Sequence, residues 1–252
     1  MKKTATIAVL VASLGLSTGA MAGGDHHGAH WGYEGHAGPA HWAEMSKEYS
    51  LCGSGKHQSP IDISKTTSKG LAPIQFDYRG TELDIINNGH TIQVNRGQGS
   101  SITVNGEKYE LLQFHFHTPS ENIVNGKAFP MEMHLVHKNA KGDLAVVGVF
   151  FQAGSDNAVL AKAWGHMPHH AGDKDHVAAV SINAADLLPA KQAYYSFTGS
   201  LTTPPCSEGV KWMVMQAPVQ ASQAQIEQFT HTIGANARPV QRLHDRMVSV
   251  NM

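Results

Sequence analysis

Three histidines in two nearby segments have the spacing of metal ligands on β-strands. His115 and His117 lie two residues apart, so on a strand both imidazoles point to one face and the phenylalanine between them points to the other. His134 lies in a second segment with the same alternation, and Glu132 shares its face. If the two strands pair antiparallel through the loop at residues 120–130, His134 joins the first two imidazoles in one cluster.

This cluster has the composition of a catalytic zinc site. Three imidazoles without a fourth protein ligand leave one metal position open for water, whereas structural zinc sites fill it with Cys or His. Gln113 and Glu132 lie two residues before His115 and His134 on the same faces, where each fits as the partner of the other ring nitrogen. The residues therefore predict a Zn2+ site with an outer shell of hydrogen-bond partners.

Strands must position this site, and most of the chain after residue 60 has strand character. Segments 91–95 and 101–104 alternate polar and apolar side chains around Gly97 and Gly99, which predicts a hairpin. Turn-forming Gly, Asn, Pro and Asp residues separate the remaining strand candidates. These longer candidates are 109–117, 131–137, 144–151, 193–197 and 210–216.

Helical signals are few and short. Ser155 is an N-cap candidate for a helix over 156–164, and Ser222 with Gln225 forms a capping box before a helix at 226–229. The fold class is therefore predicted to be mainly β (α+β), with a large, mostly antiparallel sheet and short helices at its periphery.

The first 22 residues have the pattern of a secretory signal peptide. Two lysines precede an apolar run at 7–16, and the small residues around Ala22 form a cleavage site. We expect cleavage near Ala22 and a single catalytic domain over 23–252. No later apolar run reaches the roughly 18 residues of a membrane span, so no membrane anchor is expected.

Composition supports one globular domain and excludes several classes of function. The 252 residues are 41% hydrophobic and 15% charged, which is enough apolar content for one large core. The formal net charge is −1, and it becomes −3 once Lys2 and Lys3 are removed, because 17 basic residues then face 20 acidic ones. A chain with this charge balance is not expected to bind nucleic acid.

Export also determines how the two cysteines are interpreted. In an oxidising compartment Cys52 and Cys206 form the single intrachain disulfide that the sequence allows. A cross-link closing so long a loop stabilises a fold by about 5 kcal/mol in the chain-entropy description. Two free buried thiols are the alternative.

The histidine pattern resembles that of the α-class carbonic anhydrases, and five further blocks extend the resemblance. They occur in the family's order between Trp31 and Arg246, at residues 58–62, 87–90, 119–121, 201–205 and 238–241. Thr118 and Pro119, the short connection to Glu121, the secretory signal and the cysteine pair are similar to the bacterial, secreted branch. The resemblance implies a twisted sheet of about ten strands with a conical cleft at its centre, and a periplasmic location.

Members of this family hydrate carbon dioxide reversibly to bicarbonate and a proton, with a zinc-bound hydroxide as the nucleophile. The resemblance implies three zinc ligands, His115, His117 and His134, and an outer shell of Gln113, Glu132 and the backbone near Asn236. Thr202 would accept a hydrogen bond from the hydroxide and donate its own proton to Glu121, because an ionised carboxylate is an acceptor only.

The resemblance also implies residues for proton transfer and for the substrate. His90 matches the proton-shuttle position, since an imidazole titrates near neutral pH, and Tyr33 helps to order the solvent chain that leads to it. Carbon dioxide would lie against Val136, Val146, Leu201, Thr203, Val210 and Trp212. A weak esterase side activity and inhibition by sulfonamides and anions are expected as well, and no oligomeric state is predicted.

Two other classes of function stay open from the residues alone. In a cupin-type metal oxygenase or isomerase, His115, His117 and Glu121 would be the ligands, although the second cupin signature, a Gly-rich strand ending in a ligand His, is not apparent. A non-catalytic periplasmic zinc or copper binder would use the histidine triad. Such a binder has no need of Thr202 and Glu121, so their presence favours the enzyme.

Residues 23–60 show no regular period and predict an irregular surface segment rich in Gly and His. The histidines outside the triad have two interpretations, which are metal scavenging and the weak, opportunistic metal affinity of flexible loops, and the second is favoured. They are His26, His27, His30, His36 and His41, with His166, His169 and His170 farther along the chain.

Overall fold

A computed structural model describes residues 30–95 and 99–250. The signal peptide expected at 1–22 and its cleavage point lie outside these residues, as do His26, His27 and Gly97. Within the described ranges, no helix combines the length and the apolar character that crossing a membrane requires.

Fifteen strands lie in the described part of the chain. Strands β7 and β10 are the longest of them, with 11 and 10 residues. The strands are β1 (Asp62–Ile63), β2 (Thr66–Ser68), β3 (Gln75–Asp77), β4 (Thr81–Asn87), β5 (Ile92–Asn95), β6 (Ser101–Val104), β7 (Glu107–His117), β8 (Ile123–Val124), β9 (Met131–Lys138), β10 (Leu144–Ala153), β11 (Lys174–Ile182), β12 (Tyr194–Ser200), β13 (Glu208–Met215), β14 (Val219–Ala221) and β15 (Val248–Val250).

Thirteen of these strands form one sheet. Its main path has ten strands in the order β11-β4-β5-β7-β9-β10-β13-β12-β15-β2, while β14 pairs with β10, β6 with β7 and β3 with β6. Most pairs are antiparallel, but β10 runs parallel to β13 and β14, and β15 runs parallel to β2. Strands β1 and β8 form a separate parallel pair. The predicted fold class, a mainly-β fold with a large, mostly antiparallel sheet and short peripheral helices, is confirmed.

Strands β7, β9 and β10 form the centre of the sheet, and their alternating side chains separate the core from the opposite face. Strands β7 and β9 pair antiparallel, as the sequence predicts. Apolar side chains of one face belong to the main hydrophobic core, among them Phe114, Phe116, Met133 and Leu135. The triad histidines alternate with these residues and therefore lie on the other face.

The predicted hairpin between residues 91–95 and 101–104 is wrong. Both β5 and β6 pair antiparallel with β7, β5 with its second half and β6 with its first half. The two strands therefore run in the same direction and lie one after the other along one edge of β7. The alternating pattern identified both strands correctly, but their partner is a third strand that follows them in sequence.

The described ranges contain four α-helices, all short and peripheral. They are α1 (Trp42–Met45), α2 (Leu51–Ser54), α3 (Ala158–Trp164) and α4 (Gln223–Ile233), with 3-10 turns at Gly35–Ala37, Lys47–Tyr49 and Ala184–Leu187. The predicted capping box of Ser222 and Gln225 is confirmed. The predicted Ser155 cap is wrong, because Asn157 accepts from the backbone N–H groups of Val159 and Leu160. Hydrogen bonds between Asn157 and Gln225 fix this start against α4.

The segment before β1 is anchored by one buried tryptophan and one disulfide. Trp42 is fully buried, and its indole N–H donates to the carbonyl oxygens of Gly32 and Ala37. Cys52 in α2 is bonded to Cys206 in the loop after β12. The predicted disulfide is therefore confirmed, and the alternative of two free thiols is wrong.

Candidate active site

The histidine triad converges at the centre of the sheet. His115 on β7 lies directly opposite His134 on β9, and His117 lies opposite Glu132. One ring nitrogen from each of the three imidazoles lies within 4.8 Å of the others. His117 and His134 are buried, whereas His115 is partly exposed to a cavity. Pairing of the two strands thus assembles three side chains that could hold a metal ion, with His134 lying 17 and 19 positions from the other two.

Each imidazole has an acceptor next to one of its ring nitrogens. His115 Nδ1 is hydrogen-bonded to Gln113 Oε1 and His117 Nδ1 to the carbonyl oxygen of Asn236, each at 2.8 Å, and His134 Nε2 lies 3.1 Å from Glu132 Oε1. The Nε2 atoms of His117 and His134 are buried and have no hydrogen-bond partner among the described residues. A buried nitrogen left without a partner is costly, and a metal ion at this point satisfies it.

The protonation state of the triad suits a metal. Burial lowers the pKa of His115 and of His134 well below the usual value, and it also lowers the pKa of His117. The imidazoles also lower one another's pKa, because each proton added would repel the next. Imidazole binds a metal only in its neutral form, so the three side chains are held in the ligand state near neutral pH.

Glu132 is fixed by two residues that the sequence interpretation did not identify. Asn122 donates its backbone N–H to Glu132 Oε2 and its side-chain amide to Oε1, each at 2.8 Å. Gly148 on β10 lies opposite His134, and a Cβ atom there would approach Glu132 Oε1 to 2.8 Å. Glycine is therefore required for the carboxylate to reach His134. Its position directly after Glu121 is the one indication from the sequence that Asn122 belongs to the site.

Glu121 is a fully enclosed carboxylate beside the triad. The Thr202 hydroxyl lies close enough to lower its pKa, and its Oε1 accepts the backbone N–H of Arg238 at 2.8 Å. Its Oε2 lies 3.5 Å from His117 Nε2. Burial raises the pKa of Glu121 to about 8, and the two donors act against that rise. A divalent cation on the triad would also oppose this rise in pKa and favour the ionised carboxylate.

Arg238 connects Glu121 to the segment before β1. Its guanidinium donates to Gln58 Oε1 at 2.9 Å, to the carbonyl of Ser59 at 2.7 Å and to the carbonyl of Cys52 at 2.8 Å. The same group lies over the ring of Trp42. Arg238 occurs in a block that carries the resemblance, but its role could not be read from the sequence because each of its partners is distant along the chain.

Asn236 connects the triad to the loop that carries His90. Its carbonyl oxygen holds His117, while its side-chain amide donates to the carbonyl of His90 at 3.0 Å. The loop itself is closed by Asn88 Oδ1, which accepts the backbone N–H groups of His90 and Thr91. Gly89 has φ +86°, a conformation that favours glycine and makes this tight turn feasible.

A cavity of about 130 Å3 leads from the triad to the surface. Its lining includes His115, His117 and Thr203 at the inner end, with Tyr33 and His90 among the other residues. The half-buried ring of His90 stacks on Trp31, with centroids 3.7 Å apart and planes inclined by 6°. Burial, together with the neighbouring His30, lowers the pKa of His90. Burial and the Glu121 carboxylate raise the pKa of Tyr33, which therefore stays protonated.

An apolar surface lies beside the triad. Val146 on β10 is paired with Val136 on β9 and with Trp212 on β13, so the three side chains form a row across the sheet. The Trp212 ring lies 4.8 Å from the His134 ring. These three residues belong to one hydrophobic cluster that also contains Val210 and Leu201. All the residues named for the substrate wall are therefore close to one another, with Thr203 on the cavity side.

Comparisons with known proteins by sequence and by structure match carbonic anhydrases. A profile of the eukaryotic-type carbonic anhydrases matches residues 37–252. Carbonic anhydrases of Pectobacterium atrosepticum and Neisseria gonorrhoeae are 47% and 46% identical, covering 87% and 91% of this chain and 90% of each relative. The solved α-carbonic anhydrase of Thermovibrio ammonificans, in complex with the inhibitor sulfanilamide, has a TM-score of 0.86 at 47% identity over 88% of this chain and 99% of that one.

Proposed function

Because the chain belongs to the α-type carbonic anhydrase family, whose members are lyases, we propose that it hydrates carbon dioxide reversibly with a zinc ion held by His115, His117 and His134. The family assignment removes the cupin interpretation and the interpretation as a non-catalytic metal binder. The single observation that carries the proposal is the triad itself, with its buried, unpartnered His117 nitrogen next to Glu121.

The donor set fits zinc. Three neutral imidazoles, each oriented by a second hydrogen-bond acceptor, are the ligands of catalytic zinc sites that keep one position open. When bound, zinc acidifies a coordinated water so that hydroxide is available as the nucleophile near neutral pH, as is established for carbonic anhydrases. Gln113, Glu132 and the carbonyl of Asn236 keep the three rings aimed at the metal.

Thr202 and Glu121 orient the nucleophile. The Thr202 hydroxyl donates to Glu121, so its oxygen lone pairs are left to accept a hydrogen bond from the nucleophile. With its proton engaged by Thr202, a nucleophile held at the triad would direct its lone pair toward the apolar side of the site. Arg238 contributes by holding Glu121 through its backbone N–H.

Carbon dioxide is held against the apolar wall of Val136, Val146, Leu201, Val210 and Trp212, with Thr203 beside it. A linear molecule without a dipole gains from such a surface, because water that it displaces there has few hydrogen-bond partners. Bicarbonate is charged and gains less from the wall than carbon dioxide does, which favours release of the product.

His90 carries the proton away from the site. Its imidazole lines the cavity and has a lowered pKa, so it is neutral and ready to accept a proton near pH 7. Tyr33 lines the same cavity and helps to order the solvent between the triad and His90.

Two further properties follow from the same site. A nucleophile that attacks carbon dioxide also attacks activated carbonyl groups, so we propose a weak esterase activity. The related Thermovibrio ammonificans enzyme was solved with sulfanilamide, and we propose that sulfonamides and small anions inhibit this chain by occupying the open metal position.

The proposed location is the periplasm. Residues 1–22 have the pattern of a cleaved signal peptide, and the Cys52–Cys206 disulfide suits an oxidising compartment. N-terminal sequencing of the exported protein is expected to give a sequence that begins at Gly23.

Stopped-flow carbon dioxide hydration tests the proposal, together with metal content measured on the same sample after dialysis against a mild chelator. We expect fast hydration with one tightly held zinc per chain, and loss of both in His134→Ala. His176→Ala, which removes an exposed imidazole on β11, is the matched control and should retain both. A tightly held metal without hydration would overturn the proposal.

A further inference from the structure

Gln58 is a buried amide whose two ends are bonded to different parts of the site. The residue is 3% exposed. Its Nε2 donates to the carbonyl of Cys206 at 2.9 Å and to Glu208 Oε1 at 3.1 Å. Its Oε1 accepts Arg238 Nη1 at 2.9 Å. The partners Cys206 and Arg238 lie 148 and 180 positions away along the chain, and the proposed mechanism so far gives Gln58 no role.

The donor end of the amide holds the loop between β12 and β13, which carries Thr202. Gln58 bonds to Cys206 near the end of this loop. The next residue, Ser59, exchanges two hydrogen bonds with Ser200 at the start of the loop, at 2.9 and 3.1 Å. Within the loop, the backbone N–H of Cys206 donates to the carbonyl of the residue after Thr202 at 2.9 Å. The Gln58 contact is therefore passed to the immediate neighbour of Thr202.

The acceptor end of the amide holds the residue that fixes Glu121. The guanidinium of Arg238 donates to Gln58, while the backbone N–H of Arg238 donates to Glu121 Oε1 at 2.8 Å. Arg238 is itself only 2% exposed, so a guanidinium hydrogen bond lost here would not be replaced readily by bulk water. A short series of hydrogen bonds through one amide thus connects the Thr202 loop to Glu121.

An amide is the side chain that can make both kinds of contact. The carbonyl of Cys206 and the carboxylate of Glu208 need a donor, whereas Arg238 needs an acceptor, and Gln supplies both groups. A Glu at this position would keep the acceptor but would present a second carboxylate to Glu208. The amide is also closely enclosed, because a Cβ atom at Gly55 would collide with Gln58 Nε2 and with Glu208 Oε1.

From this geometry we propose that Gln58 is a positioning residue for the hydration reaction. It fixes Thr202 relative to Glu121, because it joins the loop of the first residue to the arginine that holds the second. The proposal rests on the proposed function, in which Thr202 and Glu121 orient the nucleophile. Since Gln58 contacts none of the triad histidines, its replacement should disturb this orientation and leave zinc bound.

A double-mutant cycle between Gln58 and Thr202 tests the proposal. The measured quantity is kcat/KM for carbon dioxide hydration in Gln58→Glu, Thr202→Ala and the combined variant, with zinc content determined on each sample. Gln58→Glu is expected to lower kcat/KM about 10-fold, because a small misplacement of a reacting group is enough for such a loss. It should cause no further loss in the Thr202→Ala background, where the residue through which it acts is absent.

Two further readouts separate positioning from a general loss of stability. In Gln58→Glu, kcat should fall less than kcat/KM, because proton transfer through His90 limits kcat in the proposed mechanism. Gln58→Met removes both hydrogen bonds without adding a charge. It is the second variant for the same cycle, and it serves alone if Gln58→Glu does not fold.

Gln225→Glu is the matched control. Gln225 is also a buried amide, and it accepts the backbone N–H of Asn157 and donates to the carbonyl of the same residue, each at 2.8 Å. This variant should lose stability in urea unfolding but retain the kcat/KM of wild type. An unchanged kcat/KM in folded Gln58→Glu or Gln58→Met overturns the proposal, and so does an equal loss with and without Thr202. Absence of hydration in zinc-loaded wild type would instead overturn the proposed function, and this role with it.

Discussion

Glu121 Oε1 accepts the backbone N–H of Arg238 at 2.8 Å, although the two residues are 117 positions apart in the sequence. The proposed mechanism gives this carboxylate a second donor, the nearby Thr202 hydroxyl, from a different loop. Arg238 is itself held by Gln58, Ser59 and the carbonyl of Cys52. In the proposed mechanism, the orientation of the nucleophile would thus depend on the segment before β1 as well as on the sheet.

Removing the orienting hydroxyl is expected to lower catalysis without lowering zinc content. Thr202→Ala should reduce kcat/KM for hydration about 100-fold, because the nucleophile loses its orientation. Glu121→Gln should have a similar effect, since a Gln amide can still accept from Arg238 through its oxygen but also offers a donor to Thr202. Thr202→Ser retains the hydroxyl and is the control. Stopped-flow rates close to wild type for Thr202→Ala would contradict this role.

Replacing the shuttle residue is expected to affect proton transfer alone. His90→Ala should lower kcat by about 100-fold in dilute buffer, leave kcat/KM unchanged, and recover when imidazole is added. Because the pKa of His90 is lowered, the imidazole is neutral and able to accept a proton at any pH above that pKa. The kcat of wild type should therefore fall only as the pH drops below it. A kcat of His90→Ala that is independent of buffer concentration would contradict the assignment.

Gly148 offers a test of how Glu132 is supported. A methyl group in Gly148→Ala would lie 2.8 Å from Glu132 Oε1 and displace the carboxylate from His134. We expect zinc affinity to fall about 10- to 100-fold, as is typical when an outer partner of a ligand is disturbed. Competition with a chelator measures this change. Ala145→Gly on the same strand is the comparison, and an equal loss there would point to a general weakening of β10.

The triad and its partners on β7 and β9 could be predicted because their chemistry is local. Period-two alternation places His115 with His117, and Glu132 with His134, whatever the rest of the fold does. Contacts across the sheet carry no such signal. The need for glycine at Gly148 arises from a carboxylate on a neighbouring strand.

The errors have the same origin. Asn157 replaces Ser155 as the cap of α3 because Gln225 of another helix bonds to its backbone. Strands β5 and β6 have the residue pattern of a hairpin, but each pairs with the longer strand β7 and not with the other. Local propensity identified these elements, and tertiary contacts decided their ends and neighbours.

The disulfide is expected to contribute strongly to stability. It joins residues 154 positions apart, and closing such a loop restricts the unfolded chain by about 5 kcal/mol. Cys206→Ser should therefore lower the melting temperature by about 10 °C or more. Cys52→Ser/Cys206→Ser should melt at the same temperature as the single variant. An unchanged melting temperature, with one free thiol titrated in Cys206→Ser, would contradict the expectation.

His137 is expected to make the fold sensitive to acid. This buried imidazole accepts from the Tyr78 hydroxyl at Nε2, at 2.8 Å, and burial lowers its pKa to about 3. In the unfolded chain it titrates near 6.5, so its stabilising effect is complete above that pH and is lost as the pH falls toward 3, by up to about 5 kcal/mol. In zinc-free protein, urea unfolding between pH 8 and 4 should show a shallower loss of stability for His137→Gln than for wild type. His176→Gln, on the exposed strand β11, should follow wild type, and parallel pH profiles for wild type and His137→Gln would rule out this role for His137.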